Sequence, residues 1–210
     1  SNPHLQIADI AQIIRQAKSQ NITTMLDGTF AGLHQHCDFD IDLVIQSLTK
    51  FANGHGDVIA GSVSGRKDLI KTIRQMAITL GATLDPHAAF LISRGLKTYD
   101  MRYQRHCQTA QIIADALAKH PKIKKVYYPG LPQHPLNQLA KEQMRDMGGV
   151  LAFEVDPSCG QALSICHRVK LIKFTASVGS PETLICPTLL FFGDDLPEND
   201  RREMGLNPYS

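Results

Sequence analysis

The sequence predicts an α/β fold. Short apolar runs typical of buried strands alternate with longer segments whose apolar residues recur at helical spacing. The strand-like runs end at polar or glycine-containing turns, as the strands of a layered α/β domain do. With 210 residues, the chain is long enough for one large domain or two small ones with a sizeable core.

The first half of the chain predicts one helix, three strands and a second helix. Residues 6–18 place Ile7, Ile10, Ala11, Ile14 and Ala17 on one helical face, and Asn21 follows as a stop signal. The elements expected after it are strands over 22–26, 41–45 and 58–63, and a helix over 67–80.

The second half predicts a mixture of helices and shorter strands. Residues 86–119 are helical in pattern with an interruption near Arg94–Gly95, so we expect two helices or one bent helix. The pattern changes near residue 101, which predicts a domain boundary there and two domains over 1–101 and 102–210. Later elements are strands over 126–128 and 150–155, helices over 137–144 and 161–169, and apolar runs over 171–176 and 184–192.

Composition and charge exclude several classes of protein. The 22 Lys and Arg nearly balance the 20 Asp and Glu, which argues against a dedicated nucleic-acid or membrane-surface binder. No apolar run approaches the roughly 20 residues that span a bilayer, and no signal-peptide pattern is present. The five cysteines are scattered without a C-x-x-C, which favours a reduced, cytoplasmic compartment. We expect no metal site. His34, His36 and Cys37 could imitate metal ligands, but this spacing in a polar loop usually occurs without a metal.

The most chemically suggestive segment is Ser47-Leu48-Thr49-Lys50, at the end of the second predicted strand. Ligands of open α/β sheets bind beyond the carboxyl ends of strands, where two hydroxyls and loop amides can hold a phosphate. A lysine beside them is placed to bond covalently to a carbonyl carbon. The alternative is a surface lysine in a Ser/Thr-rich turn.

An acidic residue ends the preceding strand. Asp27 follows an apolar run, so we expect it to be half-buried and to need a cationic partner. The protonated pyridine nitrogen of pyridoxal phosphate (PLP) is such a partner, and capping of the next turn is the alternative. An acid and a lysine at the ends of neighbouring strands favour the cofactor interpretation.

These residues belong to a longer series of motifs. Ser47–Phe51 with Gly54-His55-Gly56-Asp57 resembles the cofactor-lysine signature of the Cys/Met-metabolism (trans-sulfuration) PLP-dependent enzymes, in the cystathionine/methionine γ-lyase group. The resemblance runs in order from residue 1 to about 186. Its further landmarks are Ser1-Asn2-Pro3, Leu26–Phe30, Arg94–Thr98 with Met101-Arg102, Tyr128–Leu131 with His134-Pro135, Gly148-Gly149, and Ser177-Val178-Gly179 with Glu182-Thr183-Leu184.

The resemblance implies a fold-type I aminotransferase-like PLP domain, present in part, followed by a smaller α/β C-terminal domain, also in part. It implies that Lys50 attaches PLP covalently and later moves protons at the substrate carbons. Asp27 would pair with the pyridine nitrogen, and Ser47 and Thr49 would contact the phosphate.

It also implies two substrate contacts outside this segment. Asn2 would lie near the phenolic oxygen of the cofactor and the substrate carboxylate, and Ser177 would face the same carboxylate. His55 and Arg94 are expected to order the structure around the site. Three departures from the family pattern are Gly28 for the usual Asn, Ala52 for a usual large aliphatic residue, and Ser180-Pro181 after Ser177-Val178-Gly179.

The activity that the resemblance implies is a PLP-dependent carbon–sulfur lyase acting on a sulfur-containing amino acid. Gly56 resembles methionine γ-lyases, whereas serine is commoner there in cystathionine enzymes; against this, residues 75–79 lack the Lys-Asp pair typical of the methionine subgroup. Methionine γ-lyase is therefore placed first. The alternatives are cystathionine γ-lyase, cystathionine β-lyase, cystathionine γ-synthase and O-acyl-homoserine sulfhydrylase.

The resemblance further implies a dimer or tetramer whose subunits share active sites. Family members carry a phosphate loop before the Ser-Asn-Pro motif and a carboxylate-binding arginine beyond the point where this sequence stops. The chain is therefore expected to be an internal fragment of one roughly twice as long. A non-catalytic fragment without these elements is the rival interpretation.

Overall fold

A computed structural model describes residues 4–35, 38–192, 196–204 and 206–210. The chain divides into two compact units, Ala8–Arg105 and Ser1–Ile7 with His106–Ser210. The division falls inside a long helix, four residues beyond the domain boundary expected at residue 101. Whether the units match the functional domains expected over 1–101 and 102–210 stays a prediction.

The first unit has a three-stranded sheet and four α-helices in its described residues, the last of which continues into the second unit. Its sheet has the order β1-β2-β3, with β1 parallel to β2 and β2 antiparallel to β3. The elements are α1 (Ile10–Ser19), β1 (Met25–Asp27), β2 (Leu43–Ser47), β3 (Gly61–Gly65), α2 (Lys67–Leu80), α3 (Pro86–Leu96) and the start of α4 (Tyr99–Ala118).

All three strands of the first unit begin later than the sequence predicts, and β2 begins at Leu43 instead of residue 41. Asn21 has a φ of 60°, and this turn delays β1 to residue 25 instead of 22. The third strand begins at Gly61 instead of residue 58, because the backbone of Ala60 bonds to Thr49 before the pairing with β2 starts. Apolar runs locate these strands, whereas local turns and hydrogen bonds determine where β1 and β3 begin.

The predicted helices agree more closely. Helix α2 has the predicted bounds and is followed by Gly81, whose φ of 73° suits the left-handed position after a helix. The segment over 86–119 forms two helices, as one of the expected alternatives had it. The break, however, lies at residues 97–98, and α3 runs through Gly95.

The second unit contains the remaining elements. Its main sheet pairs β4 (Ile123–Tyr127) with antiparallel β5 (Ala152–Val155), and its core gathers Ala110, Ala114, Tyr128 and Leu131. The other elements are α5 (Asn137–Gln143), α6 (Ala162–Cys166), β6 (Lys173–Phe174), β7 (Leu184–Ile185), α7 (Thr188–Phe192) and α8 (Glu198–Glu203). The carbonyls of the last three residues accept from the backbone amides of Ala162, Val155 and Thr188.

Among the described residues, no helix has both the length and the apolar character needed to cross a membrane.

Candidate active site

The predicted cofactor lysine lies in a tight turn that follows β2 directly. This segment, Leu48–Ala52, is called the Lys50 turn below. Lys50 has φ −87° and ψ −127°, which interrupts the helical path. The turn closes because the amides of Asn53 and Gly54 donate to the carbonyls of Leu48 (3.0 Å) and Lys50 (2.8 Å). Residues on both sides of Lys50 are thereby fixed relative to the end of β2.

A short chain of hydrogen bonds joins the ends of β1 and β2. The Thr29 amide donates to a carboxylate oxygen of Asp27 at 2.9 Å, and the Thr29 hydroxyl accepts from the Ser47 amide at 2.9 Å. The Gly28 amide donates to the Ile45 carbonyl at 2.9 Å. Since β1 and β2 are parallel, their carboxyl ends, which carry Asp27 and Ser47, meet at one edge of the sheet.

Asp27 is exposed, which corrects the expectation that it is half-buried. It is the last residue of an edge strand that pairs with β2 alone in the described sheet. In the apolar run before it, Met25 is exposed and Leu26 is only half-buried, so the run says little about the burial of its final residue. The carboxylate also caps the turn that follows through Thr29, as the alternative interpretation had it.

The two predicted phosphate-binding hydroxyls have different surroundings. Thr49 accepts from the Ala60 amide at 2.9 Å and donates to the Ala60 carbonyl at 3.3 Å. A hydroxyl has two lone pairs and one proton, so Thr49 would contact a phosphate by redirecting its longer bond. Within the described chain, the Ser47 side chain caps no amide of the Lys50 turn. Ser47 is thus the better placed of the two to turn its hydroxyl toward a ligand.

The loop after the Lys50 turn is ordered by Asn53. This residue is 1% exposed and donates from its side chain to Asp57 at 2.6 Å. That bond is the main cause of a lowered pKa at the Asp57 carboxyl, with smaller contributions from His55 and Arg94. The His55 ring nitrogen Nδ1 lies 2.7 Å from the Asn53 carbonyl. His55 thus contacts the Asn53 backbone, and the charge of Arg94 acts on Asp57. The ordering role expected of both residues stays a prediction.

The residue that sequence reasoning missed is Arg102. Its guanidinium donates to the carbonyl oxygens of Phe51 (3.0 Å), Ala52 (3.1 Å) and Gly95 (2.8 Å), and to the Thr98 hydroxyl (3.0 Å). Arg102 follows Met101 in a motif that the sequence does flag, but the spacing gives no sign that it contacts the Lys50 turn 50 residues earlier. The four-residue spacing from Thr98, which directly precedes α4, is the only signal available.

Two glycines allow these segments to approach each other. A Cβ on Gly95 would lie 2.4 Å from the Asn53 carbonyl oxygen, and one on Gly54 would lie 1.6 Å from the Arg102 guanidinium. Gly54 also has a φ of 73°. Phe51, 3% exposed, packs edge-on against Tyr103 with ring centroids 5.4 Å apart. The backbone of the Lys50 turn is therefore held from the α3–α4 side.

The structure brings Asp27, Ser47, Thr49 and Lys50 to one end of the first unit's sheet. Ser177 is exposed and belongs to the second unit, while Asn2 lies outside the described residues. No group of three His, Cys, Asp or Glu side chains suited to a metal occurs in the described residues, and His36 and Cys37 fall outside them.

Comparison with known proteins gives one family. A family model described as "Cys/Met metabolism PLP-dependent enzyme" matches residues 1–209. The chain is 41% identical over 190 residues to an L-methionine gamma-lyase of Fusobacterium nucleatum, covering 88% of this chain and 48% of that protein. It is 37% identical over 210 residues to a cystathionine beta-lyase of Coxiella burnetii, covering 98% of this chain and 54% of that protein.

Solved structures agree with this result. The cystathionine gamma-lyase of Lactobacillus plantarum, complexed with L-serine, superposes on the whole chain with a TM-score of 0.94 and 32% identity, over 55% of its own length. The α/β fold is therefore that of the PLP-dependent relatives over the part compared. The chain spans about half the length of the curated relatives that it matches.

Proposed function

Because the chain belongs to the Cys/Met metabolism PLP-dependent enzyme family, we propose that it acts as a PLP-dependent carbon–sulfur lyase. The proposed reaction is the α,γ-elimination of L-methionine, in which methionine and water give methanethiol, 2-oxobutanoate and ammonia. The relative that is 41% identical carries the name L-methionine gamma-lyase, which supports methionine as the first substrate to test. Lyase or synthase action on cystathionine or an O-acyl-homoserine is the alternative.

The observation that carries the proposal is the parallel pairing of β1 and β2. It brings a carboxylate, a hydroxyl and the lysine of the following turn to one edge of the sheet. This donor set fits PLP: a carboxylate for a protonated ring nitrogen, hydroxyl and amide groups for a phosphate, and a primary amine for an aldehyde. When bound, PLP supplies an electron sink for the bonds that break at the substrate's α-carbon.

The chain's own groups then have separate tasks. Asp27 holds a proton at the pyridine nitrogen, because a carboxylate favours the charged form of a neighbouring base. Lys50 holds the cofactor covalently and carries protons between the α, β and γ carbons of the substrate. Ser47, with Thr49, holds the phosphate, and the Thr29 bonds keep Asp27 and Ser47 at a fixed separation. Asn2 and Ser177 are proposed to bind the substrate carboxylate.

The cofactor assignment is tested by reductive trapping. The purified protein is mixed with PLP, its absorbance is recorded, it is reduced with borohydride, and the modified peptide is identified by mass. We expect a yellow protein with the adduct on Lys50, loss of that adduct in Lys50→Ala, and no change in the control Lys71→Ala on α2. An adduct that survives Lys50→Ala, or no adduct in the unaltered protein, contradicts the proposal and favours a non-catalytic chain.

The substrate is tested by product identity. Methionine and cystathionine are supplied separately, and the thiol and the 2-oxo acid are identified. Methanethiol with 2-oxobutanoate from methionine supports the proposal. Turnover of cystathionine alone moves the assignment to a cystathionine lyase, with pyruvate indicating β-elimination and 2-oxobutanoate indicating γ-elimination.

We also propose self-association into a dimer or tetramer in the cytoplasm, without nucleic-acid or membrane partners. Large apolar side chains on α2 and α3 are exposed in the single chain, among them Met76 (61%), Leu80 (74%) and Phe90 (61%). Their exposure favours burial against another subunit. Sedimentation of the purified protein would show a mass of two or four chains, and a monomer at micromolar concentration would contradict the proposal.

A further inference from the structure

A single guanidinium group joins the candidate lysine turn to the helices behind it. In the described part of the chain Arg102 makes four hydrogen bonds of 2.8–3.1 Å, and all four acceptors are neutral oxygens. Burial of the charged group lowers the pKa of Arg102 from its ordinary value. A partly buried cation with no carboxylate among these acceptors is costly, and its hydrogen bonds offset that cost.

The three carbonyl acceptors of Arg102 lie at the ends of helical segments. The carbonyls of Phe51 and Ala52 are the last two of the Lys50 turn, and the Gly95 carbonyl lies in the last turn of α3. Carbonyls at such ends lack the usual amide partner one turn further along their own helix, and they carry partial negative charge. The Gly95 carbonyl also accepts from the Thr98 amide at 3.2 Å and from the Thr98 hydroxyl at 3.3 Å. Arg102 therefore caps two chain segments at once. The planar fork of a guanidinium can reach three carbonyls in this way, whereas an ammonium is a single point charge.

Two glycines leave the space that this contact needs. Any side chain on Gly54 would occupy the position of the guanidinium, and any side chain on Gly95 would meet the backbone of Asn53. Asn53 and Gly54 are also the two residues whose amides close the turn onto Leu48 and Lys50. Arg102 thus acts on the segment whose backbone sets the origin of the Lys50 side chain.

We propose that Arg102 is a positioning residue for Lys50. It holds the backbone of residues 50–54 so that the lysine amine stays at the carboxyl end of β1 and β2. Arg102 touches neither substrate nor cofactor in this role. The expected effect of Arg102 on PLP attachment at Lys50 rests on the proposed function. Its expected effect on the turn rests on the hydrogen bonds alone.

The experiment compares Arg102→Met, Arg102→Lys and the control Arg105→Met, an exposed position on the same helix. The first measurement is amide hydrogen exchange at Asn53 and Gly54, with the β1–β2 amides of the same unit as an internal reference. The second is the fraction of Lys50 trapped by borohydride at a PLP concentration that half-saturates the unaltered protein.

In Arg102→Met we expect exchange at Asn53 and Gly54 to rise at least tenfold, while the β1–β2 amides change less than twofold. Trapping at Lys50 should fall at least tenfold. Arg102→Lys should lie between Arg102→Met and the unaltered protein, because one ammonium replaces only part of the fork, and Arg105→Met should match the unaltered protein.

Two results overturn the proposal. Unchanged exchange and trapping in folded Arg102→Met would show that the turn holds its shape without the guanidinium. Equal acceleration of the turn and the β1–β2 amides would show a general structural role. If Arg102→Met does not fold, Arg102→Lys decides by the same comparison. If the unaltered protein takes no PLP at Lys50, the proposed function fails, while the exchange measurement still decides whether Arg102 holds the turn.

Discussion

Replacing Gly95 with alanine tests whether α3 and the segment after Lys50 are in backbone contact. In a helix with free space, Gly→Ala stabilises by about 0.5–1 kcal/mol, because glycine loses more conformational freedom on folding. Here the added Cβ would lie 2.4 Å from the Asn53 carbonyl oxygen and 3.0 Å from two further backbone atoms of Asn53. Backbone atoms cannot move aside as a flexible side chain does, so the helix or the turn must shift. Overpacking of this kind costs about 1–3 kcal/mol, and Gly95→Ala should destabilise the protein.

The assay is urea unfolding followed by circular dichroism. With a slope of about 2 kcal/mol per molar urea, the midpoint should fall by about 0.5–1.5 M, and borohydride trapping at Lys50 should fall with it. Ser93→Ala, an exposed position on the same helix, is the matched control and should move the midpoint by less than about 0.25 M. An unchanged or raised midpoint in Gly95→Ala would refute the close contact.

Three further substitutions test individual hydrogen bonds. Hydrogen bonds from Thr24 and Arg66 lower the pKa of Asp42 from 3.8 to about 2, so its ionised form stabilises the fold above pH 4 and this contribution is lost as the pH falls toward 2. Asp42→Asn should therefore flatten the loss of stability between pH 4 and 2 in acid titrations, and an unchanged profile would contradict this. Tyr128→Phe removes a buried hydroxyl that donates to a backbone carbonyl at 3.0 Å; unfolding free energy should fall by about 1–3 kcal/mol, whereas a loss below 0.5 kcal/mol would show that the carbonyl finds another donor. Thr29→Val removes the acceptor of the Ser47 amide at 2.9 Å. The fraction of Lys50 trapped by borohydride should fall by a larger factor than the folding equilibrium constant does. Equal factors in the two measurements would count against a local effect.

The sequence predicted the parts of the fold that depend on local pattern. Helix α2 has its predicted bounds because a continuous periodic stretch ends at a glycine that can adopt a positive φ. The same reasoning misplaced the break between α3 and α4, because it took Gly95 for a helix breaker. Gly95 is helical and is small for a different reason, namely the approach of Asn53. A contact between residues 42 positions apart leaves no trace in local periodicity.

The candidate site also has features that follow from local sequence and features that depend on distant contacts. A polar residue that follows an apolar run can be recognised locally, and on this basis Asp27, Ser47 and Lys50 were assigned to one sheet edge. Their surroundings could not be predicted, since the exposure of Asp27 depends on the neighbours of β1 and the bonds of Thr49 depend on where β3 begins. Arg102 was missed because its partners are backbone carbonyls, and a carbonyl is present at every position of every sequence.

Some parts of the site are chemical groups that local sequence reveals, and others are contacts that only the fold creates. The motifs around Lys50 and around Arg102 are therefore both needed to describe one site. Hydroxyl, carboxylate and amine side chains in the first motif have chemistry that a ligand could use. Gly54, Gly95 and Arg102 have no such chemistry at these positions; each is the residue type that permits or makes one contact between the two motifs. The turn that carries Lys50 is a segment of only five residues with few backbone bonds of its own. The second motif supplies further bonds to this turn, so the role proposed for Lys50 depends on residues that a search for chemical groups alone does not find.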